Sequence, residues 1–271
     1  MGAEGFDQAA RPAPPLAREL AEQGVLAKRF DPGFLTRSDA TDAQQVGIWG
    51  ALKGSMLTML VTLMLAFPVG VLAALYLEEY APRNRWTDII EVSINNLAAV
   101  PSIIFGLLGL AVFLWLFPHA RSAPLIGGMT LALMTMPVIV ISGRNAIKAV
   151  PPSIRDGAMA LGASPVQVVF HHVLPVTYPG ILTATIIGVA QALGETAPLL
   201  LIGMNAFVAA VPATPVDQST ALPVQIYLWQ GNENRNFFEA RTSAAIIVLL
   251  GLMLGLNAIA IYLRRRLERR A

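Results

Sequence analysis

Five runs of about twenty residues, near 55–77, 94–117, 125–143, 180–204 and 243–263, hold one charged side chain between them, Glu195. A helical crossing of a bilayer needs roughly 20 apolar residues, and an uncharged run of that length is the signature of such a crossing. Composition agrees: 55% of the chain is hydrophobic and 13% charged, against about 25% charged in soluble domains. The pattern therefore predicts an all-α integral membrane protein with about five transmembrane helices in this chain. Residues 1–46 read as a polar, proline-containing N-terminal segment, 47–265 as the membrane domain, and 266–271 as a basic tail. Cysteine is absent, which excludes disulfides, thiolate metal sites and cysteine nucleophiles.

Basic residues in short loops set the orientation. Arg144, Lys148 and Arg155 follow the third run, and Arg264, Arg265, Arg266, Arg269 and Arg270 follow the fifth, so both regions are expected in the cytoplasm. A basic cluster directly after an apolar span is read as a topology anchor rather than a nucleic-acid site. Counting back puts loop 118–124 outside, loop 78–93 inside and residues 1–46 outside. Arg83 and Arg85 lie in loop 78–93 beside Glu78, Glu79, Asp88 and Glu91, and acidic residues weigh little in orientation. A polar segment that crosses first leads to the expectation of a further span upstream of Met1. Lys53 is placed at an interface, its stem snorkelling, Pro68 is expected to kink the first span, and Pro101 to bend or break the start of the second.

One stretch interrupts this pattern, DGAMALGASPVQVVFHHVLP at 156–175. Ser153 is a candidate N-cap with Asp156 three residues on, and Ile154, Ala158 and Leu161 form an apolar stripe. Gly162 fits the position just past a helix end. Ser164 then caps a second helix with Pro165 in its first turn, an apolar face of Val166, Val169, Phe170 and Val173, and Pro175 as a stop. The punctuation predicts two short amphipathic helices joined by a glycine turn, facing the cytoplasm. Two roles are open to such a patch: lying on the membrane surface, or docking into a groove on a partner.

The spacing resembles the cytoplasmic loop of ABC importer permeases, E-A-A-x3-G-x9-I-x-L-P. This chain reads Asp156-Gly157-Ala158, then Gly162-Ala163-Ser164, then His172-Val173-Leu174-Pro175, with Asp156 and Gly157 in place of Glu and Ala, and His172 in place of Ile. AVPSIIFGLLGL (99–110), ALGETAPLLL (192–201) and ALPVQIYLW (221–229) further resemble the PstA-type permeases of bacterial phosphate importers, over roughly 47–265. The resemblance implies the type I importer permease fold, and a multi-pass subunit of the bacterial inner membrane with its C-terminus in the cytoplasm. It also implies a heterodimer with a PstC-type sister permease, two ATP-binding subunits and an extracytoplasmic phosphate-binding protein. In that reading Asp156, Gly157, Ala158, Gly162, Ala163, Ser164, His172, Leu174 and Pro175 couple the spans to the ATPase. No cofactor is expected on this chain, which lacks G-x4-G-K-[ST]; ATP and Mg would sit on the partner ATPase. Loop 205–242, with Pro212, Pro215 and Pro223 and with Trp229 near an interface, is the expected contact for the binding protein.

Ionisable groups within a span are functional candidates because burying them is costly. Glu195 is flanked by Gly194 and Thr196, and Pro198 cannot donate to residue 194, so the helix is expected to open there. A carboxylate repels phosphate, which leaves two roles for Glu195: pairing with a basic residue of the sister permease in a gate, or helix packing. Gln191, one turn earlier, stands where relatives carry Arg and offers only an amide donor. Arg144 is read as a topology anchor or as an attractor for departing phosphate. Asn95, Asn96 and Ser102 either satisfy the bent helix start or face the pathway. His171 and His172 lack a third ligand at metal spacing, so no metal site is expected. Gly251 and Gly255 form a GxxxG pattern too common to assign. An ion-driven transporter would show repeated halves and further buried acids, and an intramembrane enzyme would pair catalytic groups; neither pattern is present.

Overall fold

Helices alone satisfy every backbone group inside a bilayer without outside partners, and in the computed structural model every regular element among the described residues is helical, with no strand. It describes residues 32–40, 45–204, 208, 210–231 and 235–268. The chain divides into two units, Met1–Gly33 and Phe34–Ala271. Of the first, only Pro32 and Gly33 are described. Arg269 and Arg270 of the basic tail lie outside the described residues.

The second unit is built from nine α-helices among the described residues. These are α1 (Trp49–Leu75, widening into a π turn at Tyr76–Tyr80), α2 (Arg85–Ala98), α3 (Ser102–Leu116) and α4 (Pro124–Lys148). Then come α5 (Pro152–Ala160), α6 (Pro165–Gly194), α7 (Ala197–Leu201), α8 (Leu222–Gln230) and α9 (Arg235–Glu268). Among the described residues four stretches are long and apolar enough to cross a membrane, Trp49–Tyr80, Pro124–Lys148, Pro165–Gly194 and Ala240–Arg266, and the bent pair α2 and α3 makes a fifth if it is counted as one span.

The second expected span breaks at Pro101 as expected, but with a longer first arm than its bounds allowed. Residues 94–98 belong to α2, and the chain breaks at Ala99–Pro101 before α3 turns away by 104°. Pro101 lacks the amide that would continue α2, and it biases Val100 away from helical angles. The fourth span is displaced too: α6 starts at Pro165 and ends at Gly194, so it is not the 180–204 segment. α1 runs through Pro68 without a break.

Helix contacts in a membrane come from close packing rather than from the hydrophobic effect. α1 and α4 interlock through small residues. A β-carbon at Gly128 would lie 2.5 Å from Val61 Cβ and 2.9 Å from Thr58 O, and one at Gly70 would lie 2.8 Å from Ile139 Cγ2. Thr62 Oγ1 donates across the same seam to Gly128 O at 3.2 Å. α6 lies antiparallel on α4, since Gly180 faces Ala146 while Gly188 faces Thr135. At this pairing the two helices meet with their polar hydroxyls turned back onto their own carbonyls, Thr135 onto Leu131 O and Thr185 onto Ile181 O.

The segment read as polar, 1–46, contributes to the core. Phe34 and Val46 are buried with Ile48, Leu222 and Trp229, and Trp229 Nε1 donates to Asp39 at 3.3 Å. Burial pushes the Asp39 carboxyl above the usual range. Trp229, expected near an interface, is 3% exposed. Loop 205–242 contains α8; residues 205–207, 209 and 232–234 lie outside the described residues.

Candidate functional site

The segment 151–175 is built by its punctuation, with two departures from the expected pattern. α5 begins at Pro152 with Pro151 at its N-cap, so Ser153 is not the cap. Proline already has the helical φ and no amide to satisfy, which makes a side-chain cap unnecessary there. At the far end Gly162 adopts φ +90°, and two hydrogen bonds close the helix, Gly162 N to Met159 O at 2.9 Å and Ala163 N to Ala158 O at 3.1 Å. This is the Schellman arrangement. Ser164 Oγ then accepts from Gln167 N at 3.3 Å while Gln167 Oε1 accepts from Ser164 N at 2.9 Å, a reciprocal capping box.

The second departure is larger. Pro175 does not stop the second helix, which continues through Pro175 and Pro179 to Gly194. A π turn at Val169–Val173 precedes Pro175, and Leu174 N already reaches back five residues to Val169 O. The carbonyls that Pro175 would otherwise disrupt are thus displaced from the α ladder, and the ring is accommodated. Segment 151–175 is therefore one short helix plus the first turns of a membrane-spanning helix.

Its two sides differ. Ala158, Val168, Val169 and Val173 are buried against Ala74, Leu75, Val140 and Ile147 of α1 and α4. Leu161, expected on this packed stripe, is instead 91% exposed, because the glycine turn starts immediately after it and swings it outward. Met159, Val166 and Phe170 are also exposed. Asp156, Gly157, Ser164 and His172 lie on the exposed surface, Gly157 with open space around it, while Ala163, Leu174 and Pro175 are half-buried.

Four ion pairs secure this end of the molecule. Arg155 Nη2 lies 2.6 Å from Glu79 Oε1, and the same guanidinium donates to Val150 O at 2.7 Å and Ile147 O at 3.1 Å. Arg144 reaches Glu78 at 3.4 Å and Glu91 at 2.9 Å, and Lys148 lies 3.8 Å from Glu78. The three glutamates belong to the end of α1 and to α2, so the network ties α1, α2, α4 and α5 together. Sequence reasoning weighed these glutamates only for orientation. Their partners lie 53 to 76 residues away in the chain, and no short-range spacing signals such pairs.

The opposite end carries the second group. α6 ends at Gly194, Glu195 is extended (φ −72°, ψ 128°), and α7 begins at Ala197. The helix opens at the expected place because Pro198 offers Gly194 O no donor. Pro198 is buried against Gly106 of α3, where a β-carbon would lie 2.7 Å from Pro198 Cα. Gln191 and Gly194 are exposed and share a face of α6, while Glu195 and Thr196 are half-buried. Among the described residues the Glu195 carboxylate has no ion pair or side-chain hydrogen bond.

The structure does not gather the pathway candidates into one cluster. Arg144 lies near the level of residues 180–181 of α6, about fourteen residues, hence roughly 20 Å, from Glu195. Asn96 and Ser102 flank the hinge at Pro101. Arg144 is occupied by two carboxylates, which neutralises it as an attractor for a passing anion. A groove of about 340 Å³ among α1, α6 and α9 is lined by Leu63, Phe67, Ile186, Val189 and Leu256. It contains no charged group and so offers an anion no positive potential. No group of three or more His, Asp or Glu suited to a metal occurs among the described residues.

Gly162→Val is expected to destabilise the turn by about 1–2 kcal/mol, since a β-branched residue at positive φ is strained even with open space around it. Limited proteolysis at 160–165 in the purified chain should accelerate by about tenfold, whereas Gly157→Ala should leave the rate unchanged.

Comparison with known proteins places these features in context. A family model described as the binding-protein-dependent transport system inner membrane component matches residues 66–271. The phosphate transport system permease protein PstA of Haemophilus influenzae is 31% identical over 239 residues, 88% of this chain and 82% of that protein. The probable ABC transporter permease protein YqgI of Bacillus subtilis is 33% identical over 168 residues, 62% of this chain but only 56% of its own length. PstC of Haemophilus influenzae is 32% identical across 66% of this chain and 65% of its own, so extent of match, not identity, distinguishes the two phosphate permeases. Among solved structures, the inward-facing methionine transporter MetNI superposes with a TM-score of 0.59 at 20% identity, covering 82% of this chain and 94% of that one. A bacterial importer of the acidic polysaccharide alginate gives 0.58 at 17%, covering 80% and 78%. These two likenesses concern the fold.

Proposed function

Since this chain belongs to the family of binding-protein-dependent transport system inner membrane components, we propose that it is the PstA-type half of an ATP-driven inorganic phosphate importer. It works beside a PstC-type sister permease, with two ATP-binding subunits and an extracytoplasmic phosphate-binding protein. The family consists of inner-membrane permease components, and ATP with Mg belongs to the partner ATPase in this reading. The match to PstA of Haemophilus influenzae across most of both chains supports phosphate as the cargo.

The observation that carries the reading is the two-sided coupling segment. One side, Ala158, Val168, Val169 and Val173, is locked onto the spans, and Arg155 bolts it to α1. The other side presents Met159, Leu161, Val166 and Phe170 to whatever docks there. A force applied at Val166 and Phe170 passes directly into α6, because they lie on its first turns, and one applied at Met159 and Leu161 reaches it through the Gly162 turn. α6 in turn ends at the opening beside Glu195. ATPase closure thus shifts α6 along α4, and the break at 195–196 responds.

A phosphate anion crossing hydrocarbon needs a protected route and a source of positive potential. Gln191 and the opened backbone near Gly194 offer hydrogen bonds, and the unpaired Glu195 is placed to engage a basic residue of the sister subunit. Glu195→Gln is expected to reduce ATP-driven phosphate uptake by about tenfold or more in a reconstituted complex, the worth of one charge-assisted pair. Uptake equal to wild type would remove the gate role. The reading as a whole is tested by reconstituting the four components in vesicles. ATP-dependent phosphate accumulation supports it, while uptake of sulfate or molybdate in its place reassigns the cargo within the same class.

A further inference from the structure

α2 is amphipathic, and the face it turns toward the protein, Thr87, Glu91 and Ile94, leaves most of its apolar arc uncovered. Advancing about 100° per residue, Glu91 and Ile94 point at the body, where Glu91 pairs with Arg144 and Ile94 packs on the Ala74–Ile147 cluster. The apolar arc of Trp86, Ile89, Ile90 and Leu97 points away, and Trp86 is 75% exposed. No residue of α2 is buried. Within a soluble fold such an arrangement would be inside out.

Geometry names what meets that face. α3 is the uncharged arm of the bent pair and is taken as its crossing arm; it is about 22 Å long from its fifteen residues, most of the roughly 30 Å hydrocarbon core, and α2 lies at 104° to it. A helix nearly perpendicular to a crossing segment lies nearly parallel to the membrane surface. Its level is fixed as well. The Glu91–Arg144 pair holds it at the end of α4 that bears Lys148 and leads into α5, and charged groups gathered at the end of a span mark the membrane-water boundary. The N-terminus is closed by Asn84 Oδ1, which accepts from Thr87 N at 3.0 Å, so the helix starts cleanly at the surface. Arg83 and Arg85 stand beside that start, exposed and without an ion pair among the described residues.

We propose that α2 is an in-plane anchor whose occupant is the lipid bilayer. Trp86, Ile89, Ile90 and Leu97 enter the headgroup-acyl boundary, and Arg83 and Arg85 engage lipid phosphates. The chemistry suits this partner: an apolar arc with a tryptophan at the boundary and arginines at its edge is the pattern of interfacial helices. The anchor also has a mechanical consequence. It gives the ion-pair network a fixed point in the bilayer, so that coupling-segment motion is resisted at α2 and spent on the hinge at Ala99–Pro101.

The absence of cysteine in the chain makes a direct test available. Spin labels are attached to the single variants Trp86→Cys, Ile90→Cys, Leu97→Cys, Asp88→Cys and Asn95→Cys. The full chain is then studied in phosphatidylcholine–phosphatidylglycerol vesicles, alone and within the assembled transporter. Labels at 86, 90 and 97 should collide more with oxygen, and those at 88 and 95 more with a water-soluble nickel chelate. The ratio should swing by about threefold or more with helical period, as for a helix seated 5–10 Å into the boundary. Labels at 86, 90 and 97 shielded from both reagents in the assembly would assign the face to a protein partner and overturn the proposal. Uniform access to the nickel chelate would leave the helix in water and overturn it equally. All five positions are exposed, so the labels should not impair folding.

Discussion

Gly128→Leu is expected to prevent stable packing of α1 on α4, lowering the thermal midpoint of the detergent-purified chain beyond that of any surface substitution. A β-carbon alone would already lie 2.5 Å from Val61 Cβ and 2.9 Å from Thr58 O, and backbone cannot rotate out of the way. The larger side chain must separate the helices, which breaks the bond from Thr62 Oγ1 to Gly128 O. Overpacking of a filled site costs about 1–3 kcal/mol, and more where backbone blocks relaxation. Gly128→Ala should therefore be measurably destabilised and Gly128→Leu severely so. The control is Gly251→Leu in α9, where nothing lies within 4 Å of the added atom; it should unfold like the parent chain. Equal midpoints for the two leucine variants would mean that α1 and α4 do not meet at this seam.

Arg155→Ala addresses the other end of the molecule and, in the importer proposed above, should cut ATP-driven uptake by about tenfold or more. Glu79 is 10% exposed, and removing its guanidinium strands a nearly buried carboxylate. Stranding one member of a buried pair costs about 3–5 kcal/mol. Val150 O and Ile147 O lose the guanidinium donor as well. The double variant Arg155→Ala/Glu79→Gln separates stability from coupling. With no charge left to bury, its thermal midpoint should recover much of the loss, yet transport should remain low because α5 is still unbolted from α1. Recovery of both would reduce the pair to a stabilising contact, and loss of neither would leave the segment held by Ala158, Val168 and Val173 alone.

Gly162 and Ser164 were legible because their signals are local: a positive φ favours glycine, and a capping box needs only residues three apart. The opening at Glu195 was legible for the same reason, since a missing proline amide acts within one turn. Pro175 misled because the π turn that accommodates it depends on Val169 and Val173 packing against α1 and α4. Leu161 misled because helical periodicity ignores the direction a chain takes after a turn. Glu78, Glu79 and Glu91 looked like loop charges, and their partners are supplied by elements far along the chain.

Sequence by itself determined that this chain is a helical membrane protein, where its spans lie to within a helix or so, and which family it resembles. Bilayer thickness and backbone hydrogen bonding act on any twenty-residue stretch regardless of its surroundings, so one dimension of information suffices for them. Only the tertiary structure decided that residues 165–175 are the first turns of the membrane-spanning α6, that Arg144 is already engaged by two carboxylates, and that α2 leaves its apolar arc exposed. Each of these depends on which surfaces meet across the bundle, and close contact between distant segments leaves no periodic trace in the order of residues.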